Sequence, residues 1–179
     1  MRCNATTMLA VVGVLALVSC GGSKGKGGTT PGGGATPTAF FEAYKKASLA
    51  GDVEGVWAMM TKGTQDQQLA QLEKMRTMEG IAEMLGLSAD QLAALSTDEL
   101  RRQFMKKQLA ETHDKVAGTM IDHVEQQSPD KVIVHTKDAT GKASRGVLVR
   151  ENGVWKLDIV ASAELEDGTG EPPPDHPVG

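Results

Sequence analysis

The stretch Ala143-Ser-Arg-Gly-Val-Leu-Val-Arg-Glu-Asn-Gly-Val-Trp-Lys-Leu-Asp-Ile-Val-Ala161 decides the fold. Two runs rich in alternating apolar residues flank Asn152-Gly153. Asn-Gly between such runs is the strongest short hairpin signal, because both central residues of a two-residue turn need positive φ. The turn also sets the register: Glu151 opposite Val154, Arg150 opposite Trp155, Leu148 opposite Leu157. Strands are expected over Ala143 to Arg150 and Val154 to Ala161.

Working back toward the amino terminus, the period of two persists as far as Gly118. Further strands are expected over Thr119 to Gln127 and Lys131 to Lys137. Their separators are Ser128-Pro-Asp130 and Asp138-Ala-Thr-Gly-Lys142, both built from turn-forming residues. These loops place Val124 across from Val134 and Leu148 beside Val132. One face then carries Val124, Val132, Val134, Leu148, Trp155, Leu157 and Ile159, and should pack on helices. The other carries Ile121, Ile133, Val147 and Val149 among His123, His135, Arg145, Lys156 and Asp158. Those four apolar residues form a candidate interaction face, for a protein partner or a second copy, unless the helical block covers them. His123 and His135 sit across from each other. Two imidazoles fall short of the three or four ligands of a zinc site, and Arg145 beside them repels a cation. No metal or other cofactor is assigned.

Before the strands, the apolar period is helical. Pro37 opens a helix bearing Phe40, Phe41, Tyr44, Ala47 and Ser48 on one side, and Gly51 ends it. Asp52 is placed to cap a second helix with Val53, Val56, Trp57 and Met60. Gln65 to Leu85 reads as one long amphipathic helix stopped by Gly86. Ser88-Ala-Asp-Gln91 and Ser96-Thr-Asp-Glu99 have capping-box form. They start a short helix and then one from Thr97 to about His113, with Arg101, Arg102, Lys106 and Lys107 on its solvated side. The fold class is therefore α+β: N-terminal helices packed on a C-terminal four-stranded antiparallel meander.

The first residues have a different character. Arg2 precedes an apolar run from Met8 to Val18, too short to span a bilayer, which needs about 20 residues. A positive start and a short apolar core are the features of an export signal. Leu17-Val-Ser-Cys20 resembles the lipobox of bacterial lipoproteins. That resemblance implies diacylation of the Cys20 sulfur, cleavage before Cys20, and acylation (palmitate or a similar chain) of the new amino terminus. Two or more acyl chains anchor a protein stably, at about 0.8 kcal/mol per buried CH₂. No Asp follows Cys20 at the position that retains enteric lipoproteins at the inner membrane. The resemblance thus favours the outer membrane, with the domain facing the periplasm. The chain divides into a signal peptide (1–19), a lipid anchor and Gly-rich linker (20–36), an α+β domain (37–163) and an acidic, Pro-rich tail expected to be disordered (164–179).

Thr38 to Gly63, with its helix, Gly51-Asp52 step and second helix, resembles the opening of domains in the nuclear transport factor 2-like (SnoaL-like) superfamily. The closing Asn152-Gly-Val-Trp-Lys156 is similar to that superfamily's last strand. The resemblance implies a cone-like sheet wrapped against helices. Gln65 to His113 exceeds what the superfamily needs and is expected to be a helical insertion.

Function is constrained mainly by what is missing. The net charge of −4 comes with no basic cluster, so no nucleic acid is expected. At 3% aromatics, a stacking platform for sugars is not expected. No Ser-His-Asp spacing, phosphate-binding Gly loop or dinucleotide fingerprint is present. An isomerase-like member of the superfamily would need a carboxylate or imidazole inside the cone. The only polar candidates for such a pocket are Tyr44, Asp122 and Arg150, and no catalytic residue is assigned. The expectation is a membrane-anchored envelope lipoprotein acting as a non-enzymatic binding or interaction module. The alternative is a small-ligand-binding or isomerase-like enzyme with a pocket between sheet and helices.

Overall fold

The Asn152-Gly153 hairpin forms with the register read from the sequence. The computed structural model describes residues 34–78 and 80–166. Within it, Asn152 at φ 53° and Gly153 at φ 80° occupy the two left-handed positions of the turn. Glu151 faces Val154, Arg150 faces Trp155 and Leu148 faces Leu157. The strands are β1 (Met120–Ser128), β2 (Lys131–Lys137), β3 (Ala143–Glu151) and β4 (Val154–Asp158). They form one antiparallel sheet in the order β1-β2-β3-β4. Val132 pairs with Leu148, as the five-residue loop requires, and Val124 pairs with Val134, although through a two-residue turn and a register shift at Gln127 instead of a three-residue turn.

Three features of the sheet differ from expectation, the smallest being that Ser128 pairs with Lys131 and leaves Gln127 as an extra residue beside the turn. The β1 ladder shifts register between Ile121 and His123, so Asp122 is an extra, bulged residue. One extra residue reverses the alternation before it. Ile121 therefore turns to the helix side and packs on the main core instead of joining the outer face. The last strand is also shorter than its β-branched sequence suggests. It stops at Asp158, whose carboxylate accepts a hydrogen bond from Ala161 N–H (3.1 Å) and so caps a final helix. Residues read as strand and as the start of a disordered tail instead form that helix, α7 (Ile159–Glu166).

Four helices begin where the sequence places them, while α3 starts three residues before Gln65 on a Thr61 cap. Thr36 caps α1 (Pro37–Leu49) and Asp52 caps α2 (Val53–Ala58). Capping boxes at Ser88 and Ser96 start α5 (Ala89–Ala94) and α6 (Thr97–Ala117). The expected long helix from Gln65 is two pieces, α3 (Lys62–Arg76) and α4 (Ile81–Met84). The break falls where Gly80 takes φ 87°, a conformation that ends the helical path.

Apolar side chains gather in two clusters. The main one places Phe40, Phe41, Tyr44 and Ala47 of α1, Val56 of α2, and Met105 and Leu109 of α6 against Val132, Val134, Leu148 and Trp155 of the sheet. Burial of each large side chain contributes about 1.5–3 kcal/mol. An exposed ion pair contributes about 0–1 kcal/mol, so this layer carries the stability. The second cluster joins Leu72, Leu92 and Leu100 within the helical block. Residues 59–61 close the β4 edge: Leu157 N–H donates to the Met59 carbonyl (2.8 Å) and Thr61 N–H to the Leu157 carbonyl (2.9 Å). The result is an α+β fold with several helices packed against a four-stranded antiparallel sheet.

Candidate functional site

The space between sheet and helices is where a pocket would lie, and apolar side chains fill it. Phe41, Val132 and Val134 are fully buried, and Phe40, Val56, Leu148 and Trp155 nearly so. Tyr44 is inside this layer, with its ring stacked 6.1 Å from Phe40. Burial pushes the Tyr44 hydroxyl above its ordinary pKa of 10.0, with Ser48 pulling slightly the other way. Ser48 Oγ and Trp155 Nε1 are buried without a hydrogen bond of good geometry.

The other two pocket candidates do not join Tyr44. Asp122 is exposed at the bulge, where it accepts hydrogen bonds from Lys137 Nζ (2.6 Å) and His123 Nδ1 (3.0 Å). The Lys137 ammonium, then His123, holds its carboxyl below the ordinary carboxylate range. Arg150 is exposed at the hairpin end. Its guanidinium lies 4.8 Å over the Trp155 ring and 4.0 Å from Asp130. It covers the core from outside and does not enter it.

The outer face is partly covered as well, although by α7 and not by the helical block. Ser162 Oγ of α7 accepts a hydrogen bond from Val147 N–H (2.8 Å), and Arg145 donates to the Leu165 carbonyl. Of the four residues expected there, Val147 and Ile133 are buried and Val149 is half-buried. Ile121 faces the opposite way. What remains open lies toward β1. His123 and His135 stack with ring centroids 4.0 Å apart and planes 13° from parallel. Each imidazole has a carboxylate partner: Asp122 for His123 and Glu125 for His135 (3.0 Å). Among the described residues, no group of three or more His, Cys, Asp or Glu is placed to hold a metal ion. Met120 is an exposed large apolar residue on this face; Val124, opposite Val134 on the helix side, is exposed too, because among the described residues no helix reaches across β1 to cover it as expected.

Arg101 departs furthest from its expected place. Its spacing puts it on the solvated side of α6, yet it is only 2% exposed. It donates to both carboxylate oxygens of Glu54 (2.8 and 3.0 Å) and to Asp98 (2.9 Å), and it lies 4.8 Å from the Trp57 ring centroid. Arg102, which is exposed, shares Glu54 and Asp98 with it. The Asp98 spacing, three residues before Arg101 and four before Arg102, is visible in the sequence. Glu54 and Trp57, which lie on α2, are not. The cluster fastens α2 to α6 with its charges matched.

A groove of about 410 Å³ opens on the helical block, lined by Arg76, Met78, Gly80, Ala82, Ala89, Leu92 and Ala93. Its one charged lining residue, Arg76, is already engaged by the Leu95 carbonyl (2.6 Å) and Glu73 (3.1 Å). None of the pocket residues expected from the sequence lines it.

Comparison of the chain with protein-family models, curated proteins and solved structures finds no match. Cys20 and the preceding signal lie outside the described residues. Among the described residues, no helix is long and apolar enough to cross a membrane.

Proposed function

We propose that this chain is a lipid-anchored protein of the bacterial cell envelope, tethered through Cys20 at the outer membrane and facing the periplasm. Its α+β domain acts there as a non-enzymatic binding or interaction module. In this reading the domain is a variant of the nuclear transport factor 2-like arrangement, with helices laid across the concave side of a curved sheet and residues 65–113 as an insertion. The observation that carries the module reading is the filled interior. Val132, Val134, Leu148 and Trp155 occupy the positions where a pocket enzyme needs space and a poised acid or base. Asp122 and Arg150 are at the surface, where they pair with neighbours. Contact with a protein partner falls on the β1 edge of the sheet, where Met120 on the outer face and Val124 on the helix face are both exposed. The anchor reading rests on Arg2, the short apolar run and Leu17-Val-Ser-Cys20.

Metabolic labelling with a palmitate analogue tests the anchor. The full-length protein should take up label and sediment with membranes, and Cys20→Ser should take up none. Label retained by Cys20→Ser, or an unlabelled parent protein, would overturn the anchor.

A further inference from the structure

We propose that Asn152 is a site of covalent self-modification, converting in the folded protein to aspartate and isoaspartate. The chain has two asparagines, Asn4 and Asn152, and only Asn152 precedes a glycine. In the proposed reaction the Gly153 main-chain nitrogen loses its proton and attacks Asn152 Cγ. A new N–C bond forms, the bond to the side-chain nitrogen breaks, and ammonia leaves. Water then opens the cyclic imide at either carbonyl. One opening gives aspartate, and the other gives isoaspartate with the main chain rerouted through the side chain. The net change is loss of ammonia and gain of water, with no oxidant or reductant.

Three features of the hairpin tip bear on this reaction. Asn152 and Gly153 are both exposed at the tip of the β3–β4 hairpin, so water and hydroxide reach them. Among the described residues, no hydrogen bond holds the Asn152 side-chain amide or the Gly153 N–H. The turn holds Asn152 at φ 53° and Gly153 at φ 80°, so the ring closes when the hairpin tip opens, and no side chain packs within 4 Å of a carbon placed on Gly153 to resist that opening. The modification also has a structural consequence at this position. A two-residue turn fixes the register of the two strands it joins. Isoaspartate adds a methylene to the main chain inside that turn, next to the Glu151–Val154 and Arg150–Trp155 pairs. It also adds one negative charge at the hairpin tip.

The test uses the full-length protein, kept folded in detergent at mildly alkaline pH, beside a urea-unfolded sample. Both are then digested with trypsin. The peptide from Glu151 to Lys156 should gain about one dalton in the folded sample. It should also accept methyl groups from a protein isoaspartyl methyltransferase. Asn152→Gly keeps a residue suited to positive φ and removes the amide, so its peptide should show neither change. If the peptide converts only in urea, or in neither sample, the proposal is overturned. The folded-versus-unfolded comparison stands even if Asn152→Gly fails to fold.

Discussion

Arg101 shows how far position outweighs residue type. Its guanidinium is buried, but its partners Glu54 and Asp98 keep more than half of their side-chain surface in water. Removing a buried ion-pair partner is most costly when it leaves the other charge buried. Here the carboxylates left behind can rehydrate. Arg101→Ala should therefore cost about 1–3 kcal/mol, mainly from lost hydrogen bonds and packing on Trp57. Arg102→Ala removes an exposed partner of the same carboxylates and should cost about 0–1 kcal/mol. Urea denaturation of the two variants checks the order, and equal losses would contradict it. The cluster also sets a pH dependence. Hydrogen bonds from Arg102 and then Arg101 hold Glu54 below its ordinary 4.5. A carboxylate depressed in the folded state stabilises above its unfolded pKa, and that stability is lost as pH falls through the folded value. The urea midpoint should hold from neutrality down to about pH 5 and then fall. Glu54→Gln should make that fall shallower. The sequence hid this cluster because Glu54 lies 47 residues from Arg101, and no local spacing reports such a pair.

At the scale of elements, local chemistry was readable where it left the chain no choice. The Asn152-Gly153 turn has two residues with positive φ, so three cross-strand pairs followed from it and are present. The caps of α2, α5 and α6 follow from Asp and Ser in the same way, whereas the start of α1 follows from Pro37 and its Thr36 cap carries no such signal. The bulge at Asp122 had no such signal. An inserted residue in a period-two run looks like any other, so strict alternation puts Ile121 on the outer face while the bulge turns it to the core. Removing the insertion should restore a regular ladder while Ile121 still faces the core. Deleting Asp122 should thus be far better tolerated than deleting Glu125, which would reverse every residue on one side of it. Thermal melts by circular dichroism compare the two. Helix α7 was hidden for a different reason: Ile159-Val160-Ala161 favours a strand, and the Asp158 cap and packing on β3 override it. A chain ending at Asp158 should expose Val147 and Ile133 and leave Val147 N–H without Ser162. It should lose about 1–3 kcal/mol and bind a hydrophobic dye. An unchanged melt would show that α7 is not part of the stable fold.

At the scale of the whole molecule, the layer between sheet and helices is a packed core, which in the proposed reading leaves no binding chamber. Legibility was highest for what fills it: Phe40, Phe41, Tyr44, Val132, Val134, Leu148 and Trp155 were all placed there by periodicity and register. The candidate pocket dissolved because its two charged members each sit where a cation or anion is already at hand, Lys137 for Asp122 and Asp130 for Arg150. The measurement that tests the core claim most directly is native mass spectrometry of the full-length protein, released gently from detergent. The account predicts masses that the chain, its lipid and, where present, a bound protein or second copy explain in full. A stoichiometric small molecule that leaves only when the domain unfolds would contradict it, and would put a ligand beside Tyr44, Ser48 and Trp155.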